Sequence, residues 1–109
     1  MSFLGEFLAG LEGFEWDAGN SDQNWRHHEV RQAEAEQALL NRPVVFATDV
    51  KHSRTEPRFY TLGRSDSGRF LAIVFTTRGP RVRVISARPM SRAERRAYGQ
   101  IEAKSQANS

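Results

Sequence analysis

The residues with chemical reach in this chain are arginines, set among a few tyrosines, carboxylates and imidazoles. Arg64, Arg83 and Arg88 lie in or at the ends of strand-like stretches. His28, Glu56 and Tyr98 are groups that could give or take a proton. Arg58, Arg81, Arg92, Arg95 and Arg96 lie around them as candidate RNA-binding cations. A guanidinium grips phosphate as a planar fork and stacks on bases. This set suits metal-independent cleavage of RNA. There a base activates the 2′-hydroxyl, a cation stabilises the charged phosphorane, and an acid protonates the leaving 5′-oxygen. Each residue also has a plainer reading. An arginine on a strand is ordinarily solvent-facing or ion-paired. Tyr98 would be half-buried packing, His28 a structural histidine, and Trp16 and Trp25 core residues.

The charge is divided along the chain. Residues 1–50 carry three basic and nine acidic residues, a net of −6, while residues 51–109 carry thirteen basic and four acidic, a net of +9. Fourteen of the sixteen basic residues are arginine. The second half is therefore a candidate surface for nucleic acid or an acidic protein, or else a solvated basic face.

Several chemistries have no residues to support them. There is no cysteine, which removes disulfide frameworks, thiolate zinc sites and thiol nucleophiles. No phosphate-binding glycine motif is present, so no nucleotide cofactor is expected. His27 and His28 are adjacent; on a helix their rings point about 100° apart, a poor start for a metal site. The longest uncharged apolar run is 71–77, far short of the ~20 residues of a membrane span. No secretion signal is evident. A cytoplasmic, cofactor-free domain is the expectation.

The elements that would position these groups follow from patterning. With 109 residues, one domain is expected. We place it at 14–104, with an amphipathic N-terminal extension at 1–13 and a frayed tail at 105–109. Phe14–Trp16 reads as a short strand. Residues 20–29 and 31–41 read as helices, the second stopped by Pro43. Strand signals follow at 43–48, 58–64, 69–77 and 82–88, with turns at 65–68 and 78–81. Ser91 and Glu94 stand at capping-box spacing and open a last helix. The class is α+β: N-terminal helices, an antiparallel meander of three to four strands, and a C-terminal helix. Strict alternation groups Arg64 with Arg58, Tyr60 and Leu62, and Arg88 with Val82, Val84 and Ser86. Pairing through the 69–77 strand could bring Arg64 and Arg88 to one sheet end.

Several motifs resemble the BrnT family of toxins. The C-terminal block is the specific part: R-F-x-x-L-G-R-S at 58–65, G-R-x-L-x-I-V-F-T-x-R-G at 68–79, R-V-R-V-I-S-A-R at 81–88 and R-x-E-R-R-x-Y at 92–98. F-E-W-D at 14–17 and N-x-x-x-H at 24–28 are looser matches. The resemblance implies a RelE-like fold, ribonuclease activity that blocks translation, and neutralisation by a BrnA-like antitoxin. Promoter DNA would be met only through the toxin–antitoxin complex. Arg64, Arg83 and Arg88 fall on the family's L-G-R and R-x-R-x-I-S-A-R arginines. Arg92, Arg95, Arg96 and Tyr98 fall on its terminal helix, whose cations would meet RNA backbone or an acidic antitoxin surface, and His28 falls on its histidine. Glu56 lies beside the family's acidic position.

The chain departs from the family where two lysines are usual: Asn20 and His27 stand in their places. This leaves a second reading, a weakened or inactive basic module that serves as antitoxin partner and co-repressor. A third is an interaction protein assembled as a homo-oligomer through residues 1–13.

Overall fold

The computed structural model describes residues 12–17, 19–20, 28–48 and 56–107. Among them are two helices and a five-stranded mixed sheet. The elements are β1 (Gly13–Glu15), α1 (Gln32–Leu40), β2 (Val45–Thr48), β3 (Arg58–Arg64), β4 (Phe70–Arg78), β5 (Arg81–Pro89) and α2 (Arg92–Ala107). The strand order is β1-β5-β4-β3-β2.

The expected antiparallel sheet of three to four strands gives way to a five-stranded mixed one, in which β2 to β5 pair antiparallel in chain order. The sheet then gains a fifth strand, because β1 pairs in parallel with β5. Short turns force the antiparallel pairing of β3 with β4 and of β4 with β5. At the β4–β5 turn Gly79 takes φ +58°, a left-handed conformation that glycine adopts without steric cost. β4 is apolar on both sides because it is the central strand and both its faces are covered.

The two helices cover opposite faces. α1 is built from strong helix formers, and the Glu34 carboxylate accepts the Arg31 backbone N–H at its start. Its Ala35, Ala38 and Leu39 join Leu71, Ile73, Phe75, Val82, Val84 and Ala87 in the larger core. α1 lies so close to β3 that a β-carbon on Gly63 would come within 2.1 Å of the Ala38 carbonyl oxygen. On the other face Tyr98 of α2 packs with Leu62, Ala72 and Met90.

One further expectation is corrected, and two element bounds meet the expected ends of the domain. The set of N-terminal helices reduces to one described helix in mid-chain, α1, because most of 20–29 lies outside the described residues. Residues 1–11 lie outside as well, and Gly13 opens β1. α2 runs to Ala107, past the expected fraying near Lys104.

Candidate functional site

Strict alternation along β5 fails at one point, and that failure builds the site. Opposite β4, Val74 pairs with Ser86 but Phe75 pairs with Val84, so Ile85 is an extra residue. This β-bulge shifts the facing of everything beyond it by one residue. Val82, Val84 and Ala87 all turn into the α1-side core. Arg83, Ser86 and Arg88 share the other face, paired with Thr76, Val74 and Ala72. Arg88 therefore lies with Arg83 and away from Val82 and Val84, contrary to the alternation reading. Across β4 the same face carries Arg58, Tyr60 and Leu62. Arg81, opposite Arg78, closes the row at the hairpin.

An amide pins the bulge. The Asn20 Nδ2 donates to the Val84 carbonyl and to the Glu15 carbonyl, each at 3.1 Å. Asn20 also exchanges hydrogen bonds with Asp17 through backbone N–H groups on both sides. It is 4% exposed. Asn20 is thus a structural bracket between β1 and β5.

The arginines of the row are held by carboxylates. Arg88 makes a two-pronged contact with Glu94 of α2, at 2.7 and 2.9 Å. The Tyr60 hydroxyl donates to the same carboxylate. Arg88 holds the Glu94 carboxyl down at about 2, with help from Tyr60 and the Ser91 backbone N–H. Tyr60 is pushed up to about 12, first by burial and then by Glu94. At neutral pH the carboxylate is ionised and the phenol keeps its proton. Arg83 reaches Asp17 at 2.8 Å and Glu15 at 3.1 Å. Its hydrogen bond lowers the Asp17 carboxyl from its ordinary range, and Asp17 in turn raises Arg83. Arg78 bridges Glu15 and Glu56 at 3.3 and 3.4 Å.

Other sequence candidates fall elsewhere. Arg64 stands opposite Phe70, pairs with Glu102 at 3.1 Å and lies 4.8 Å from the Phe70 ring centre. Arg88 and Arg64 therefore contact α2 at Glu94 and Glu102, about 12 Å apart along the helix axis. They do not converge. Tyr98 is 1% exposed, and its hydroxyl donates to the Pro43 carbonyl at 2.6 Å; burial raises its pKa. It is a core residue. The chain next to His28 belongs to the α1 side, where Arg69 binds both the Glu29 carbonyl and Glu34. Glu56 lies at the hairpin end of the row, paired with Arg78. Arg92, Arg95 and Arg96 are exposed on α2.

Two groups in the central cluster, Tyr60 and Glu94, were absent from the sequence candidates. Their signals were present: Tyr60 alternates with Arg58, and Glu94 is the capping-box acid. The capping role is real, since Glu94 accepts the Ser91 N–H at 2.7 Å, but the carboxylate also reaches the sheet. Among the described residues no group of three or more His, Asp or Glu comes together to hold a metal ion, and no helix is long and apolar enough to cross a membrane.

No curated protein matches this chain. The family described as the ribonuclease toxin BrnT of type II toxin–antitoxin systems matches residues 16–94, from the tryptophan that follows β1 to the carboxylate that holds Arg88. The chain belongs to the BrnT ribonuclease toxin family.

Proposed function

We propose that this chain is the toxin of a type II toxin–antitoxin pair and a metal-independent endoribonuclease of RelE-like fold. In this reading it blocks translation in the cytoplasm and is neutralised by a BrnA-like antitoxin, with promoter DNA met only through their complex. The observation that carries the reading is the bulge-aligned face on which Arg83, Ser86 and Arg88 stand beside Tyr60 and Glu94.

The scissile phosphate binds Arg88 and takes it from Glu94. That carboxyl loses its strongest stabiliser, and its pKa moves up toward the range where a base works. Tyr60 keeps its hydrogen bond and holds the carboxylate in place. Glu94 accepts the 2′-hydroxyl proton, the 2′-oxygen bonds to phosphorus, and the phosphorus–5′-oxygen bond breaks. The 5′-oxygen takes a proton from solvent, and a 2′,3′-cyclic phosphate remains. Arg83 pairs with Thr76 and Arg88 with Ala72, so their backbones are about 13 Å apart along the strand. Arg83 therefore contacts a neighbouring phosphate.

The test is cleavage of mixed RNA by the purified chain with EDTA present, beside Arg88→Ala and Arg83→Ala. We expect cleavage by the wild type, and loss in Arg88→Ala with the fold intact by circular dichroism. Full cleavage by both variants would place the reaction elsewhere.

One observation favours the second reading, a binding module with little activity. Asn20, which the resemblance sets at a family lysine position, is consumed inside the fold. Under that reading RNA binds in a salt-sensitive way and is not cut.

A further inference from the structure

We propose that a groove beside the first turns of α2 is a second contact for single-stranded RNA, taking a nucleotide next to the one held at Arg88. Its role in strand binding rests on the ribonuclease reading above.

Arg92, Arg95, Arg96 and Gly99 recur at i, i+3, i+4 and i+7, so they form one stripe along α2. With Phe70 and Glu102 they line a cavity of about 440 Å³. That is room for one nucleotide. The groove continues the arginine row, because β5 passes from Arg88 through Pro89 to Met90, whose N–H donates to the Phe70 carbonyl at 2.9 Å.

Three features point to nucleic acid. The first is charge. Arg64, Arg69, Arg78, Arg83 and Arg88 are each ion-paired with a carboxylate of the chain. Among the described residues Arg92, Arg95 and Arg96 form no ion pair, and all three are exposed. Glu102, the acidic group of the lining, is already engaged by Arg64. The second is the aromatic floor. The guanidinium carbons of Arg95 and Arg64 lie 4.7 and 4.8 Å from the centre of the Phe70 ring. Such an arginine–aromatic platform takes a base by stacking, regardless of base identity. The third is Gly99. Glycine is the poorest helix former after proline, yet a β-carbon there would meet nothing within 4 Å. No packing contact requires the glycine, and its bare backbone opens the groove to close approach. Arg95, Arg96 and Gly99 lie beyond the stretch matched by the family model.

The test uses the full chain and a labelled 2′-O-methyl oligoribonucleotide of eight residues, which binds without being cut. Gly99→Glu places a carboxylate in the groove with no clash at the β-carbon, and Gly99→Gln is its uncharged control. We expect Gly99→Glu to weaken binding about tenfold, Gly99→Gln less, with melting temperatures at or above wild type. Arg95→Ala should lower the slope of log affinity against log salt by about 0.7. Equal binding of the eight-mer by wild type and Gly99→Glu would overturn the proposal. So would a groove that binds an acidic peptide in a Gly99→Glu-sensitive manner while the oligonucleotide is indifferent. A wild type that cuts no RNA, yet binds the eight-mer in a Gly99→Glu-sensitive way, would overturn the ribonuclease reading and leave the groove standing.

Discussion

The Asn20 side-chain amide donates to the Val84 carbonyl at 3.1 Å, joining residues 64 positions apart at the step where β5 bulges. A bulge leaves part of the ladder unpaired, and an unpaired buried carbonyl is costly. Asn20 supplies a donor to that carbonyl and, with its second N–H, to the end of β1. The facing of Arg83 and Arg88 depends on this step.

Asn20→Ala should therefore lower stability by about 1–3 kcal/mol, the usual result of leaving a buried acceptor without its donor. Urea denaturation measures it. Asn20→Lys should be as destabilised as the alanine variant, since the buried site has no room for a solvated ammonium. An unchanged midpoint for both would mean the bulge holds itself.

The two tyrosines should separate cleanly. Tyr98→Phe removes the hydrogen bond to Pro43 from a buried ring and should cost about 1 kcal/mol in stability. Its effect on RNA cleavage should be small. Tyr60→Phe frees Glu94 from one of its two side-chain partners and should slow cleavage about tenfold or more, with little change in melting temperature. The reverse pattern would return the site to Tyr98.

Much of this architecture is legible in the residues. The capping box at Ser91–Glu94, the turn glycines and the apolar run of β4 each act over a few residues, so local chemistry decides them. The bulge is different. Whether two residues of β5 face one of β4 depends on how the whole strand seats against α1 and on a donor arriving from Asn20. No local pattern carries that information. The same is true of β1, whose three residues take a parallel partner from the far end of the chain. Tyr60 and Tyr98 look alike in sequence because alternation and helical spacing state a face but not what covers it. Ion pairing was equally hidden: Glu15, Asp17 and Glu94 meet Arg83 and Arg88 only after folding.

Acid should weaken the fold through Glu94. Its folded pKa lies at about 2, below the ordinary 4.5, chiefly because Arg88 binds the ionised form. A lowered folded pKa means the unfolded chain takes up the proton first as pH falls. The pair's contribution is therefore complete above about pH 5 and is lost as pH falls toward 2. Melting temperature followed from pH 6 to pH 2 should drop over that interval. Glu94→Gln should start lower at neutral pH and show a shallower drop. Identical slopes would assign the acid sensitivity to other carboxylates, Asp17 first among them.

The closest approach between layers gives the last expectation. A β-carbon at Gly63 would stand 2.1 Å from the Ala38 carbonyl oxygen and 2.9 Å from its carbon, and both are backbone atoms of α1. No rotamer change can relieve that contact. Gly63→Ala must push α1 off the sheet, opening the core made by Ala35, Ala38 and Leu39 against Leu71 and Ile73. Overpacking of this kind costs about 3 kcal/mol, a large share of the stability of a domain this size. Gly99→Ala provides the contrast within one protein, because its β-carbon points into open space and alanine is the better helix former by about 1 kcal/mol. Differential scanning calorimetry should show Gly63→Ala melting far below wild type and Gly99→Ala at or above it. If Gly63→Ala melts like wild type, α1 does not rest on β3 as closely as the Ala38 contact requires.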